Sequence, residues 1–198
     1  MLMVEPATVA KSARKLELLQ KLWVHESRRV FTDRLVCEAD RELVEGLLAS
    51  VVLANKASVG PFADLGAEEM APSSLLFCNF AEAGSADYSP VLSRAKVQTS
   101  LTEIIELYNQ ANSKRQLRGL QLFTYMIEHL SRISRIILKP QGHGLLVSLG
   151  GNGRSTLAKL ATFINACTPF RAEFSRAYGR LEWLDDMKAL FKHAGIDD

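Results

Sequence analysis

Cysteine is scarce in this chain and poorly placed for chemistry. The 198 residues hold three, Cys37, Cys78 and Cys167, odd in number, widely spaced and without a C-x-x-C pair. That spacing indicates neither a zinc site nor a disulfide framework, and it fits a reducing compartment. An excess of one charge is missing as well. Lys and Arg number 24 against 22 Asp and Glu, a formal net charge of +2, too small to argue for nucleic acid by electrostatics. No apolar run approaches bilayer-spanning length, and residues 1–6 lack the sustained apolar core of a signal peptide. The sequence has no internal repeat, low-complexity tract or long charge run. The chain therefore reads as soluble and intracellular, with no nucleic-acid or membrane partner. Its 47% hydrophobic and 23% charged residues are ordinary for a folded protein, and its length allows one domain or a domain and a half.

The densest signal lies at residues 144–164. A short apolar run, Leu145 to Val147, meets a glycine-rich turn, Gly150-Gly151-Asn152-Gly153, and a helical pattern follows in Leu157, Leu160, Ala161 and Ile164. Strand, glycine-rich turn and helix are the grammar of a phosphate-binding loop. Glycine lets backbone N–H groups approach a polyphosphate closely. The helix N-terminus adds partial positive charge there. Arg154 is placed to pair with phosphate oxygens, and Ser155 to offer a hydroxyl to Mg2+. The usual pattern is G-x-x-x-x-G-K-S/T, whereas Ser148-Leu149-Gly150-Gly151-Asn152-Gly153-Arg154-Ser155 has serine for the first glycine and arginine for lysine. The competing reading is a glycine-rich turn that only joins strand to helix. A guanidinium keeps the charge but replaces a slim ammonium with a wide planar fork, so nucleotide binding is favoured over efficient hydrolysis.

Elsewhere the pattern is mostly helical. Residues 7–54 carry Leu16, Leu19, Trp23, Val30, Leu35, Leu43 and Leu47 at roughly helical spacing, with Asp33 or Asp40 as starts for a second stretch. Residues 55–74 read as a loop, Leu75 to Phe80 as an apolar segment of undecided type, and Gly84 to Pro90 as turn-rich. Residues 94–112 return to helix. The apolar stripe Leu117, Leu120, Phe123, Ile127, Leu130, Ile133 and Ile137 predicts one long helix over 115–138, stopped at Lys139-Pro140. The spacing then predicts a buried parallel strand at 145–149, a second short strand at 170–174 and a last helix at 181–194, ended by Gly195. This order, helix, strand, P-loop, helix, strand, helix, predicts an α/β nucleotide-binding domain.

Other residues carry weaker signals. His25-Glu26 lacks the second histidine of H-E-x-x-H, so a packing contact is the better reading. His129, His143 and His193 stand singly. The cysteines read as buried or inert thiols. Asp185-Asp186 read as helix-start residues that favour the N-terminal dipole. Arg28, Arg29, Arg132 and Arg135 suit either acidic partners or a solvated helix face.

The segment Leu22-Trp23-Val24-His25-Glu26-Ser27-Arg28-Arg29-Val30-Phe31-Thr32-Asp33-Arg34-Leu35 resembles the L-W-x-H-E-x-x-R-V-F-x-D-R-L signature of dynein heavy chains, near the end of their third AAA+ module. Leu107-Tyr108-Asn109, and Leu122-Phe123 through His129-Leu130-Ser131-Arg132-Ile133, resemble the entry to the fourth module. Leu145 to Ala161 resembles its phosphate loop, usually L-L-V-G-V-G-G-S-G-R-Q-S-L-x-R-L-A. Tyr178-Gly179, Trp183 and Asp185-Asp186 to Gly195 resemble the segment beyond it. The resemblance implies a partial P-loop AAA+ domain with three parts: 1–56 the helical end of the preceding module, 57–114 a connection with helices, and 115–198 the start of the next module. It implies ATP or ADP with Mg2+ at Ser148, Leu149, Gly150, Gly151, Asn152, Gly153, Arg154, Ser155 and Thr156, the metal on Ser155. Arginine at Arg154 is common in this module. Ser148 replaces a family glycine, which implies weaker phosphate binding, and Ser155 stands where glutamine is frequent.

By the same resemblance the chain reads as a fragment, truncated gene model or short paralogue. It has no apolar run ending in paired acids, so self-contained hydrolysis is not expected. The implied context is a microtubule motor of cytoplasm and cytoskeleton, or of the axoneme of a cilium or flagellum. Glu128 to Ile133 leans toward axonemal inner-arm types. The implied nucleotide role is regulatory, and the implied partners are other AAA+ modules and dynein subunits, with microtubules reached only through parts this chain does not carry. Two other readings are a stand-alone P-loop nucleotide-binding protein and an interaction fragment without nucleotide affinity.

Overall fold

A computed structural model describes residues 15–58, 76–81, 87–91 and 93–195. Helix dominates this α/β chain. Six α-helices and one two-stranded ladder occur among the described residues: α1 (Lys15–Phe31), α2 (Glu38–Ser58), β1 (Phe77–Cys78), β2 (Ser89–Pro90), α3 (Arg94–Ala111), α4 (Thr124–Leu138), α5 (Arg154–Ile164) and α6 (Arg180–Gly195). Two compact units result, one ending at Ala166 and one beginning at Cys167.

In the first unit β1 organises the core through the two-residue period of a strand. Leu76, Cys78 and Phe80 point into the main cluster with Val97, Leu101 and Ile104 of α3, Met126, Ile127, Leu130 and Ile133 of α4, and Leu160 and Ala161 of α5. Phe77 points the other way, onto Leu22 of α1 and Tyr88. The strand pairs antiparallel with β2, Phe77 opposite Pro90 and Cys78 opposite Ser89. Serines on the helices satisfy its flanking carbonyls: Ser131 Oγ donates to Phe77 O at 2.8 Å and Ser100 Oγ to Phe80 O at 3.0 Å. A short polar ring ties β1 to the ends of α4 and α5. Ser134 Oγ donates to Asn79 Oδ1 (2.7 Å), Asn79 Nδ2 to Asn165 Oδ1 (2.9 Å), and Asn165 Nδ2 to Ser134 Oγ (2.8 Å). The buried Asn79 amide thereby recovers the hydrogen bonds lost with water.

Two helices precede the strand, separated by a 3-10 turn over Thr32–Arg34. The continuous helical reading of 7–54 is thus corrected over 32–37; residues 7–14 lie outside the described ones. α2 begins at Glu38 with Glu38 and Asp40 in its first turn, where carboxylates suit the dipole. Its last residues, 55–58, are helical where the sequence predicts a loop. The remainder of that loop, 59–74, lies outside the described residues.

Five further expectations need correction. Helix α4 starts at Thr124, not 115. Leu117, Leu120 and Leu122 still pack against the core, but from a turn. Asn109 Oδ1 accepts from Leu117 N at 2.6 Å, and Gly119 takes φ +69°, which ends any helix there. The buried parallel strand at 145–149 is absent: those residues enter no ladder, and Leu145 (89%), Val147 (80%) and Leu149 (82%) are exposed. A strand needs neighbours to take its N–H and C=O groups, and among the described residues none lies there. The strand expected at 170–174, in the second unit, is missing for the same reason.

The arginines are the fourth correction, since intramolecular carboxylates hold them. Arg28 clamps Glu45 of α2 at 2.8–3.0 Å. Arg135 donates to both oxygens of Glu26, and Arg29 and Arg132 each stand 3.4 Å from Asp33.

The second unit is α6 and the segment before it. Gly179 N donates to Glu182 Oε2 at 2.8 Å, so Glu182 is the acid that secures the first turn of this helix, a place the sequence assigns to Asp185-Asp186. Asp186 instead accepts from Tyr178 OH at 2.6 Å, and Asp185 from Lys188 Nζ at 3.0 Å. The hydrogen bond to Asp186 pushes the Tyr178 phenol up to about 12. No helix of the described residues is long and apolar enough to cross a membrane.

Candidate phosphate-binding site

The end of α4 sets the approach to the glycine-rich turn. Gly142 N donates to Lys139 O at 2.8 Å, and a Cβ on Gly142 would fall 1.9 Å from Ile136 O. Only glycine can pass so close to the helix terminus. Residues 142–149 then run to the turn at Gly150-Gly151.

Gly151 has φ +84°, and Gly153, the residue capping α5, has φ +76°. L-residues are strained in that region and glycine is not. The turn therefore reverses into α5 without side chains in the way, and Cβ atoms built on Gly150, Gly151 and Gly153 meet nothing within 4 Å. Leu157 N donates to Gly153 O at 2.9 Å, the first bond of the helix. The N–H groups of Arg154, Ser155 and Thr156, one turn earlier, have no intrahelical acceptor. No carboxylate lies in that first turn, so nothing there offsets the positive end of the dipole.

Ser148 and Leu149 end the run into this turn, and the other residues predicted for the site sit on the turn or its helix. Arg154 is exposed, and its Nη1 reaches back to Leu146 O at 3.5 Å. Ser155 is exposed and Thr156 half-buried, both in the first turn of α5. Ser148 Oγ donates to Leu149 O at 3.1 Å, so the serine closes on its own backbone. Leu149, Gly150, Gly151 and Asn152 are exposed. The arrangement offers an anion backbone donors, one guanidinium and open access. It thus fits a phosphate chain. A hydroxyl is its only offer to Mg2+, and no cluster of three or more His, Cys, Asp or Glu residues among the described residues is arranged for a metal.

The weaker candidates resolve into structure. His25 Nε2 lies 2.9 Å from Tyr88 OH, buried against the Phe77 and Tyr88 rings. Tyr88 OH also donates to Glu26 Oε1 at 3.2 Å, and burial followed by the Glu26 charge pushes its pKa far up. Cys78 is buried and Cys37 and Cys167 exposed. Burial raises the Cys78 thiol to about 11, which makes it a poor nucleophile. Sequence reasoning missed the contribution of Asn79, Ser134 and Asn165. Their bonds hold the far end of α5 and so fix where its N-terminus points. An asparagine directly after a helix, in a capping position, was the available signal.

The family described as P-loop containing dynein motor region D4 matches residues 119–198, the span that holds this turn. Across the whole chain the sequence is 36% identical to dynein axonemal heavy chain 1 of Homo sapiens, aligned over 205 positions. It is 35% identical, over 90% of the chain, to dynein axonemal heavy chain 2 of Homo sapiens. It is likewise 35% identical, over 89%, to the dynein alpha chain of the flagellar outer arm of Chlamydomonas reinhardtii. The chain belongs to the dynein heavy-chain family. It spans about 4% of the length of each of these relatives. Within this dynein sequence the matched motor region begins at Gly119, just before α4, and takes in the glycine-rich turn and α5.

Proposed function

We propose that residues 148–156 bind the phosphates of ATP or ADP in a dynein motor module. The observation that carries this reading is the pair of left-handed glycines, Gly151 and Gly153, opening α5 with no carboxylate in its first turn. Backbone N–H groups of Gly150 to Ser155 and the Arg154 guanidinium would hold the phosphates, and the Ser155 hydroxyl would ligate Mg2+. Bound Mg2+ supplies charge neutralisation between phosphate oxygens. Residues 1–56 would then close a preceding module and 57–114 connect it to the P-loop module of 115–198. A regulatory rather than main hydrolytic role is what the resemblance to this dynein module implies, and Arg154 in place of lysine supports it. The names of the relatives support a place in the axoneme of cilia or flagella, beside other AAA+ modules and dynein subunits.

Calorimetry with Mg-ATP on the 198-residue chain tests the site. Arg154→Ala removes a charge-assisted contact worth about 1.5–3 kcal/mol, roughly a ten- to hundredfold loss of affinity. Ser148→Gly is expected to bind equally or better, because it removes a side chain from the turn. Unchanged affinity in Arg154→Ala would remove that residue from the site. Steady phosphate release by the wild-type chain would overturn the non-hydrolytic part.

A further inference from the structure

A cleft of about 410 Å³ opens in the first unit, away from the glycine-rich turn. Five arginines line it, Arg28, Arg29, Arg41, Arg94 and Arg132, against three carboxylates, Asp33, Glu45 and Glu128. Arg28 and Arg41 are held at close range. Arg28 is bidentate on Glu45, Nε to Oε1 and Nη2 to Oε2, and Arg41 donates to Leu35 O at 3.0 Å and to Glu38 at 3.2 Å. Arg29 and Arg132 are held more loosely. Arg29 and Arg132 share Asp33, each at 3.4 Å, and Arg94 stands 3.6 Å from Glu128. Strong guanidinium–carboxylate bonds are shorter, about 2.7–2.9 Å. The Nε atoms of Arg29 and Arg132 and the Thr32 hydroxyl are shut from solvent with no hydrogen-bond partner among the described residues. Burial lowers the Arg29 pKa, and the Arg132 charge lowers it further against the opposing pull of Asp33. Two like charges thus face each other across one carboxylate, in a pocket with room for more than a single phosphate.

We infer that this cleft binds a polyphosphate group, at a site separate from the glycine-rich turn, through Arg29, Arg94 and Arg132. A multivalent anion would sit between these guanidinium groups, relieve their repulsion and take the donor capacity that Asp33 leaves unused on Arg29 and Arg132. Planar forks suit phosphate oxygens bidentately. Glu128 competes with the anion for Arg94.

Calorimetry with inorganic tripolyphosphate, without Mg2+, on the full chain carrying Arg154→Ala tests this apart from the glycine-rich turn. Binding is expected to persist in that background. Adding Arg132→Gln weakens it about tenfold or more, and adding Glu128→Gln strengthens it about three- to tenfold, since one competing charge is gone. A protein damaged in folding would not bind more tightly, so the second variant guards the first. ATP titrated in parallel tells free from nucleotide-borne phosphate, and either source upholds the cleft. Loss of all tripolyphosphate binding in Arg154→Ala, or affinity indifferent to both added substitutions, overturns the assignment.

Discussion

Leu76 to Phe80 and Leu145 to Leu149 are both five-residue apolar runs, and the fold treats them in opposite ways. The first becomes a buried strand and the centre of the core. The second enters no ladder and stays exposed. Hydrophobicity does not separate them; backbone partners do. Around β1, Val91 N donates to Leu76 O at 2.8 Å, β2 pairs with Phe77 and Cys78, and two serines take the remaining carbonyls. Around 145–149 no described strand offers such a set. A helix such as α5 satisfies its own backbone and forms regardless, whereas a strand forms only where its neighbours are.

The largest effect expected from this contrast is in stability. Phe80→Ala removes a ring that is 1% exposed, at a cost of about 3–5 kcal/mol. Leu145→Ala, at 89% exposure, is expected to stay within about 0.5 kcal/mol. Urea unfolding of both variants checks this, and equal destabilisation would show that 145–149 is buried in solution. Slow amide exchange at Val147 would argue the same way.

Next in size is the support behind β1. Glu26 accepts from Arg135 and from Tyr88, with the two ion-paired side chains only 12% and 15% exposed. Glu26→Ala leaves a nearly buried guanidinium without its counter-charge, a loss of about 3 kcal/mol. Arg135→Ala combined with it is expected to cost less than the two singles added, because the charge left stranded is gone. Strict additivity in the melts would mean that the pair is solvated and does not brace the strand.

The same contrast explains what could be read ahead of the structure. Helical periodicity found α3, α6 and most of α4, and the glycine spacing located the turn before α5, because these patterns are local. The start of α4 is not legible in the sequence, because Leu117 and Leu120 keep helical spacing while the Asn109 side chain takes the Leu117 N–H. The ion pair of Arg135 with Glu26 spans 109 positions, and no local pattern records such a partner. At the candidate site the order Gly, Arg, Ser was legible. The return of Arg154 toward Leu146 O and the anchoring of α5 through Asn165 were not, since both depend on how the chain folds back.

The smallest effect is confined to alkaline solution and reads the burial of β1 directly. The Cys78 thiol is raised from 9.0 to about 11 by burial, against a modest lowering by the Phe80 backbone. A folded thiol that holds its proton longer than the unfolded one contributes stability in full below the unfolded value. That contribution is lost as pH rises toward the folded value. Between about pH 8.5 and 10.5 the wild-type chain is therefore expected to lose roughly 2 kcal/mol through this group. Cys78→Ala is expected to flatten that part of the slope, leaving the same-signed loss from Tyr88, whose phenol is also raised by burial. A thiol reagent at neutral pH gives the complementary reading: Cys37 and Cys167, both exposed, react in the folded chain, and Cys78 reacts only on unfolding. Rapid modification of all three cysteines, or an unchanged alkaline slope in Cys78→Ala, would place β1 in water and erase its difference from Leu145 to Leu149.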